Sequence, residues 1–141
     1  MRTDYGSRAI IDLARHFGEG PIQSADIASR QLIPEAYLEQ LLTTLRKAGF
    51  VRSVRGPHGG HELSRAPSEI TFGQVVEALE GSFTPLDCID DPSVCQVSAT
   101  CGMRDVWAEV REATRSVLHH TTIEDLVRRS SALEERVMYY I

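Results

Sequence analysis

The sequence predicts a mainly α fold, a winged helix-turn-helix domain followed by a long C-terminal dimerisation helix, and three observations predict it. Apolar residues at helical spacing break off near Arg30 and resume after Pro34, which gives two helices joined by a short turn. An alternating segment from Phe50 to Val54 turns at Arg55-Gly-Pro-His-Gly-Gly60 and returns at His61-Glu62-Leu63, a β-hairpin with a basic tip. From Arg104 onward, Val106, Val110, Ala113 and Val117 recur at spacings of four, three and four, the seam of a helix that packs on a partner.

The elements follow in order. Tyr5, Ala9, Ile10, Leu13, Ala14 and Phe17 form the stripe of a first helix that runs to about His16 and stops before Gly18-Glu19-Gly20-Pro21. Ser24 can cap a short second helix through about Arg30. Pro34 fits the first turn of a third, where its missing N–H is harmless. Tyr37, Leu38, Leu41, Leu42, Leu45 and Ala48 make that helix's buried stripe, and Gly49 ends it. Its outward face shows Ala36, Glu39, Gln40, Thr43, Arg46 and Lys47. After the hairpin, Thr71 with Gln74 is a capping box for a helix ending at Gly81. Thr122 with Asp125 opens a last amphipathic helix carrying Ile123, Leu126, Val127 and Leu133. The expected organisation is therefore a winged helix-turn-helix domain over 1–82, a cysteine-rich loop over 83–103, and the dimerisation and C-terminal helices over 104–141.

Composition sets the environment. The net charge of −5 argues against nucleic acid, but its distribution argues for it. Residues 46–65 carry Arg46, Lys47, Arg52, Arg55 and Arg65 against Glu62 alone, a local +4 on a body of −9. A solvated charged face would look the same by charge alone. No apolar run approaches the roughly 18 residues of a membrane span. Met-Arg-Thr-Asp-Tyr leads straight into an amphipathic pattern rather than a signal-peptide core, so the expected setting is a reducing cytoplasm with no membrane partner.

Cys88, Cys95 and Cys101 are the only cysteines, all within fourteen residues, in a polar segment with Asp87, Asp90, Asp91 and Pro92. Structural cysteines lie scattered in apolar runs. A clustered odd set in a reducing compartment reads as metal-binding or redox-active. Three thiolates leave one ligand position to be filled from elsewhere.

Tyr5-Gly-Ser-Arg8-Ala9, Tyr37-Leu-Glu-Gln-Leu-Leu42, Leu45-Arg-Lys-Ala-Gly49, Arg55-Gly-Pro-His-Gly-Gly60 and Val76-Glu-Ala-Leu-Glu-Gly81 together resemble the bacterial winged-helix regulators typified by IscR, NsrR and RirA. The resemblance runs from residue 1 to about residue 126. It implies a homodimeric repressor or activator that reads a pseudo-palindromic operator in double-stranded DNA. It also implies that the three cysteines hold an iron–sulfur cluster, 2Fe–2S or 4Fe–4S. Position by position, it implies base contacts from Ala36, Tyr37 and Gln40, selectivity tuned by Glu39, and a wing contact from Arg55. Arg46, Lys47 and His58 share the basic face and complete the expected DNA-binding set. The chemistry agrees, since Gln can pair bidentately with adenine and Arg can enter a narrow minor groove. In IscR a histidine lies three residues after the last cysteine; here Arg104 stands there and cannot ligate. In the NsrR branch an N-terminal aspartate of the other subunit completes the site, and Asp4 occupies that position. Asp4 could equally cap the first helix.

Two other readings of the cysteines stay open. Three Cys with Asp or His can hold zinc, although spacings of six and five lack the close chelating pair such sites favour. A clusterless thiol switch needs two cysteines and leaves the third without a role. An enzyme is not expected: the glycines of 56–60 do not join a strand to a helix as a phosphate cradle does.

Overall fold

A computed structural model describes residues 2–81 and 84–139. The expected boundary between 82 and 83 lies outside the described residues. Three helices come first, α1 (Arg2–Arg15), α2 (Ser24–Gln31) and α3 (Glu35–Lys47). The hairpin follows, β1 (Val51–Val54) and β2 (Gly60–Leu63), then α4 (Phe72–Glu80). A four-residue turn of helix, α5 (Asp87–Asp90), leads into the long helices α6 (Gly102–His119) and α7 (Ile123–Tyr139). The predicted architecture is therefore present: a mainly helical chain with one antiparallel hairpin as the wing.

The leucine stripe organises the core. Leu38, Leu41, Leu42 and Leu45 of α3 are buried against Ala9, Ile10 and Leu13 of α1 and Ile27 of α2. Burying each such side chain contributes about 1.5–3 kcal/mol, which is why α3 is fixed in place while its other face stays free. Val75 and Leu79 of α4 and Ile123 of α7 close the same core. Gly6 lets α1 approach α4 closely, since a Cβ there would stand 2.5 Å from Leu79.

The expected capping box forms at Thr71, and a second forms where Thr122 opens α7. Thr71 Oγ1 accepts from the Gln74 N–H while Gln74 accepts from the Thr71 N–H, and Thr122 and Asp125 repeat the exchange at α7. Gly49 and Gly81 end α3 and α4 with φ of 88° and 85°.

Several expectations need correction. The residue capping α2 is Gln23, without a side-chain bond, and Ser24 is the first helical residue. Pro34 caps α3 rather than lying in its first turn. Ala48, at the frayed end of α3, is exposed rather than part of the stripe. Phe17 lies beyond the end of α1 and is exposed, and so is Leu133, where α7 has run past the core. Asp4 sits inside α1, not ahead of it, so it is not a helix cap.

No residue of α6 is buried, over 18 residues. Val106, Val110 and Val117 are 58%, 42% and 67% exposed, and Met103 extends the same stripe one step towards the N-terminus. No helix among the described residues is long and apolar enough to cross a membrane.

Candidate nucleic-acid interface and cysteine centre

With its leucines buried, α3 presents Ala36, Glu39, Gln40, Arg46 and Lys47 to solvent, as the stripe predicts. Tyr37 differs from them. It is half-buried, with its ring edge-on to Tyr5 at 5.8 Å between centroids and 76° between planes. The contact packs α3 on α1 and leaves part of the Tyr37 side chain exposed.

The wing is built to stay beside α3. Val51 pairs with Leu63 and Val54 with Gly60, which leaves Arg55 and His58 exposed at the tip. Arg46 reaches across from α3 and donates to Ser53 Oγ at 3.1 Å, joining the two elements on one face. Arg52 pairs with Glu62 across the strands at 2.8 Å, so its charge is largely cancelled. Among the described residues no carboxylate pairs with Lys47 or Arg55, and these remain available for phosphate.

Sequence reasoning missed how the wing is anchored. Ile22, ahead of α2, exchanges both backbone hydrogen bonds with His61 at 2.8 and 2.7 Å, adding a third short partner to the hairpin. Gly60 makes that approach possible: φ is 152°, and a Cβ would stand 2.4 Å from the Ile22 carbonyl. The His61 ring is held below the usual histidine range by burial, with Glu39 opposing and Arg46 reinforcing that shift. The imidazole therefore stays neutral between α3 and the wing.

The base of the reading head is locked by a charge that the helical pattern did not disclose. Asp12 of α1 is 1% exposed. Burial pushes its carboxyl up, but hydrogen bonds from Arg30 and Gln31 outweigh that and hold it below the usual aspartate value. His16 bonds the Asp12 carbonyl at 2.9 Å.

The cysteine segment is more ordered than a loop. Cys88 lies on α5, Cys95 follows a 3₁₀ turn at Pro92–Val94, and Cys101 caps α6 after a second 3₁₀ turn at Ser98–Thr100. All three are free thiols of intermediate exposure. Soft thiolates on a partly solvated segment are the donor set an iron–sulfur cluster takes, so the residues fit in kind. Among the described residues, though, no three His, Cys, Asp or Glu side chains stand together as a metal-holding group.

Asp4 is placed elsewhere in the chain, exposed on α1, where it pairs with Arg8 at 2.8 Å. Arg104 donates from Nε to the Cys88 carbonyl at 2.9 Å and from Nη2 to the Ile89 carbonyl at 3.4 Å. His119 bonds Glu77 at 3.0 Å, holding α6 to α4.

Comparison with known proteins places these features in context. Residues 1–129 match the family model Rrf2, described as an iron-dependent transcriptional regulator. The HTH-type transcriptional regulator CymR of Bacillus subtilis is 38% identical over 137 residues, covering 97% of this chain and 94% of its own. The solved structure of B. subtilis CymR, described as the global cysteine regulator, superposes with a TM-score of 0.77 at 37% identity, covering 92% of this chain and 95% of that one. The structure of T. potens IscR superposes with a TM-score of 0.76 at 39% identity, covering 92% and 85%.

Proposed function

The chain belongs to the Rrf2 family of transcriptional regulators, and from that premise we propose that it is a homodimeric DNA-binding sensor of iron, redox or nitric oxide status. Members of this family are transcriptional regulators and not enzymes, and their partner is DNA. The operator is read by Gln40 on α3 with Ala36 and Glu39 beside it, and by Arg55 and His58 on the wing, with Arg46 and Lys47 contacting phosphate. Cys88, Cys95 and Cys101 hold an iron–sulfur cluster, and the fourth position is filled by Asp4 of the partner subunit. A bound cluster supplies the reactivity towards oxidants, nitric oxide or iron loss that a regulator of this kind converts into occupancy of DNA. The protein's part is to present soft donors at a partly open site and one exchangeable oxygen donor beside them.

The observation that carries this reading is the placement of the thiols. All three are free and half-exposed, outside the hydrophobic core, and Cys101 caps the helix whose apolar seam faces solvent. Asp4 lies exposed on α1, a different element from those carrying the thiols, where a second subunit's cysteine segment could reach it. Anaerobically purified protein should show visible charge-transfer absorption with stoichiometric iron and sulfide, lost on replacing any one cysteine by Ala. Stoichiometric zinc with neither iron nor sulfide would defeat it.

A second reading is favoured by the three thiols being free and partly exposed on one short segment. On that reading the thiols act without metal, two of them joining on oxidation. It predicts colourless anaerobic protein and a DNA affinity that follows the count of free thiols.

A further inference from the structure

We propose that Arg104 and Arg111 are positioning residues that splint the Cys88 turn to α6, so that Cys88 and Cys101 form one rigid pair and Cys95 is the thiol that moves. The argument starts from the chain Asp87-Cys-Ile-Asp-Asp-Pro-Ser93. A helical turn needs an N–H four residues on for each carbonyl. Opposite the Cys88 carbonyl that residue is Pro92, which has none. Opposite the Ile89 carbonyl it is Ser93, whose N–H is already given to the Asp91 carboxylate at 3.1 Å. Two adjacent carbonyls at the end of α5 are thus left without backbone donors.

Arg104 supplies both. Its Nε and Nη2 reach the Cys88 and Ile89 carbonyls from the first turn of α6. One planar fork is suited to two neighbouring acceptors, which a lysine ammonium cannot match. Seven residues on, along the same face of α6, Arg111 donates to Asp90 at 2.6 Å. Ile89 is buried between these links. The turn carrying Cys88 is therefore fixed to α6 at two heights, three residues from Cys101 at one end. Among the described residues no side-chain bond ties Cys95 to α6: it lies between the two 3₁₀ turns, and its backbone bonds go to Pro92 and Ser98 within its own segment.

This inference rests on the reading of the cysteines as the functional centre, but not on what they bind, so its test uses thiol chemistry on the metal-free full chain. Alkylation by iodoacetamide, followed at each cysteine by mass spectrometry, gives three separate rates. In Arg104→Gln the Cys88 rate should rise about five- to tenfold, as expected when a local fastening is released, while Cys95 changes less than twofold. Arg104→Lys should restore part of the protection, through one carbonyl. Arg111→Gln, which removes the α6 link to Asp90 but leaves both carbonyls bonded, should give a smaller rise at Cys88 only. An unchanged Cys88 rate in Arg104→Gln, or an equal rise at all three thiols, would overturn the proposal. Metal content plays no part in these rates, so a protein that never binds a cluster can still pass or fail this test.

Discussion

Arg30 closes a fork on Asp12, its Nε donating to one carboxylate oxygen at 3.0 Å and its Nη2 to the other at 2.7 Å. Gln31 adds a third bond at 2.9 Å, so α1 and the end of α2 meet through a buried anion rather than through apolar side chains alone. Arg30→Ala leaves that carboxylate buried with one neutral donor and should lower the unfolding free energy by about 2–3 kcal/mol. Arg30→Lys should lose roughly half as much. The pH dependence has a definite sign. The folded Asp12 value is depressed, so the stabilisation is complete above the unfolded value near 3.9 and is lost as pH falls through the folded one. Urea midpoints should therefore fall more steeply for the wild type than for Asp12→Asn from about pH 5 to about pH 3. Parallel curves would show that the pair adds nothing in water.

Gln40 and Arg55 are both exposed but sit on different elements, and their losses should differ in kind. Gln40→Ala should cost about 1–3 kcal/mol on the preferred operator and relax choice at one base pair. Arg55→Ala should lower the salt slope of binding by about one if it meets phosphate, or remove a preference for narrow-groove steps if it enters the minor groove. Titrations against an operator library at two salt concentrations separate these. Unchanged affinity and preference in both variants would mean that another face reads DNA.

Val110 sits mid-way along the exposed stripe of α6. A second copy covering that stripe would explain why an 18-residue helix buries nothing in its own chain. Val110→Glu should raise the dimer dissociation constant by at least about a hundredfold, the effect of an unpaired charge worth ~3 kcal/mol in such a seam. Sedimentation equilibrium reads this directly. A wild-type chain that is monomeric at micromolar concentration would refute the seam.

What was legible in the sequence was local. The leucine stripe, the capping boxes at Thr71 and Thr122, and the turn at 55–60 each depend on residues within one turn or hairpin, and all three form. Features that join distant positions were not legible. Asp12 occupies a core position because Arg30 lies opposite it, and nothing in the helical period of α1 announces a partner 18 residues away. The Ile22 bridge to His61 and the Arg104 cap on α5 share that origin. Tyr37 shows a different limit: a residue at the edge of a stripe can pack and still reach the surface, and its contact with Tyr5 was not readable from the helical period. The thiols were legible as a set, while their distribution over α5, a 3₁₀ turn and the cap of α6 was not.

Asp4 offers the sharpest test of how the cysteine centre reaches DNA. Its carboxylate holds Arg8 at 2.8 Å, and Arg8 in turn donates to the Gln31 carbonyl at 2.8 Å and lies 4.7 Å over the Tyr5 ring. Tyr5 packs edge-on to Tyr37 at the start of α3. An Asp4 carboxylate drawn to a cluster on the partner's cysteines would leave Arg8 without its anion, and the change would be felt on both sides of the turn, at Gln31 and at Tyr37. In a dimer on a two-half-site operator a small displacement would suffice, because both heads would have to fit at a fixed spacing and each poorly seated contact costs on the order of 1 kcal/mol or more. Asp4→Ala should therefore leave the three-cysteine absorption largely intact while operator affinity stops following the state of the centre. Fluorescence anisotropy on reduced, nitrosylated and metal-free preparations measures that coupling. If the variant still switches as the wild type does, the signal passes through α6 and the Arg104 contact instead, and Asp4 serves only to orient Arg8.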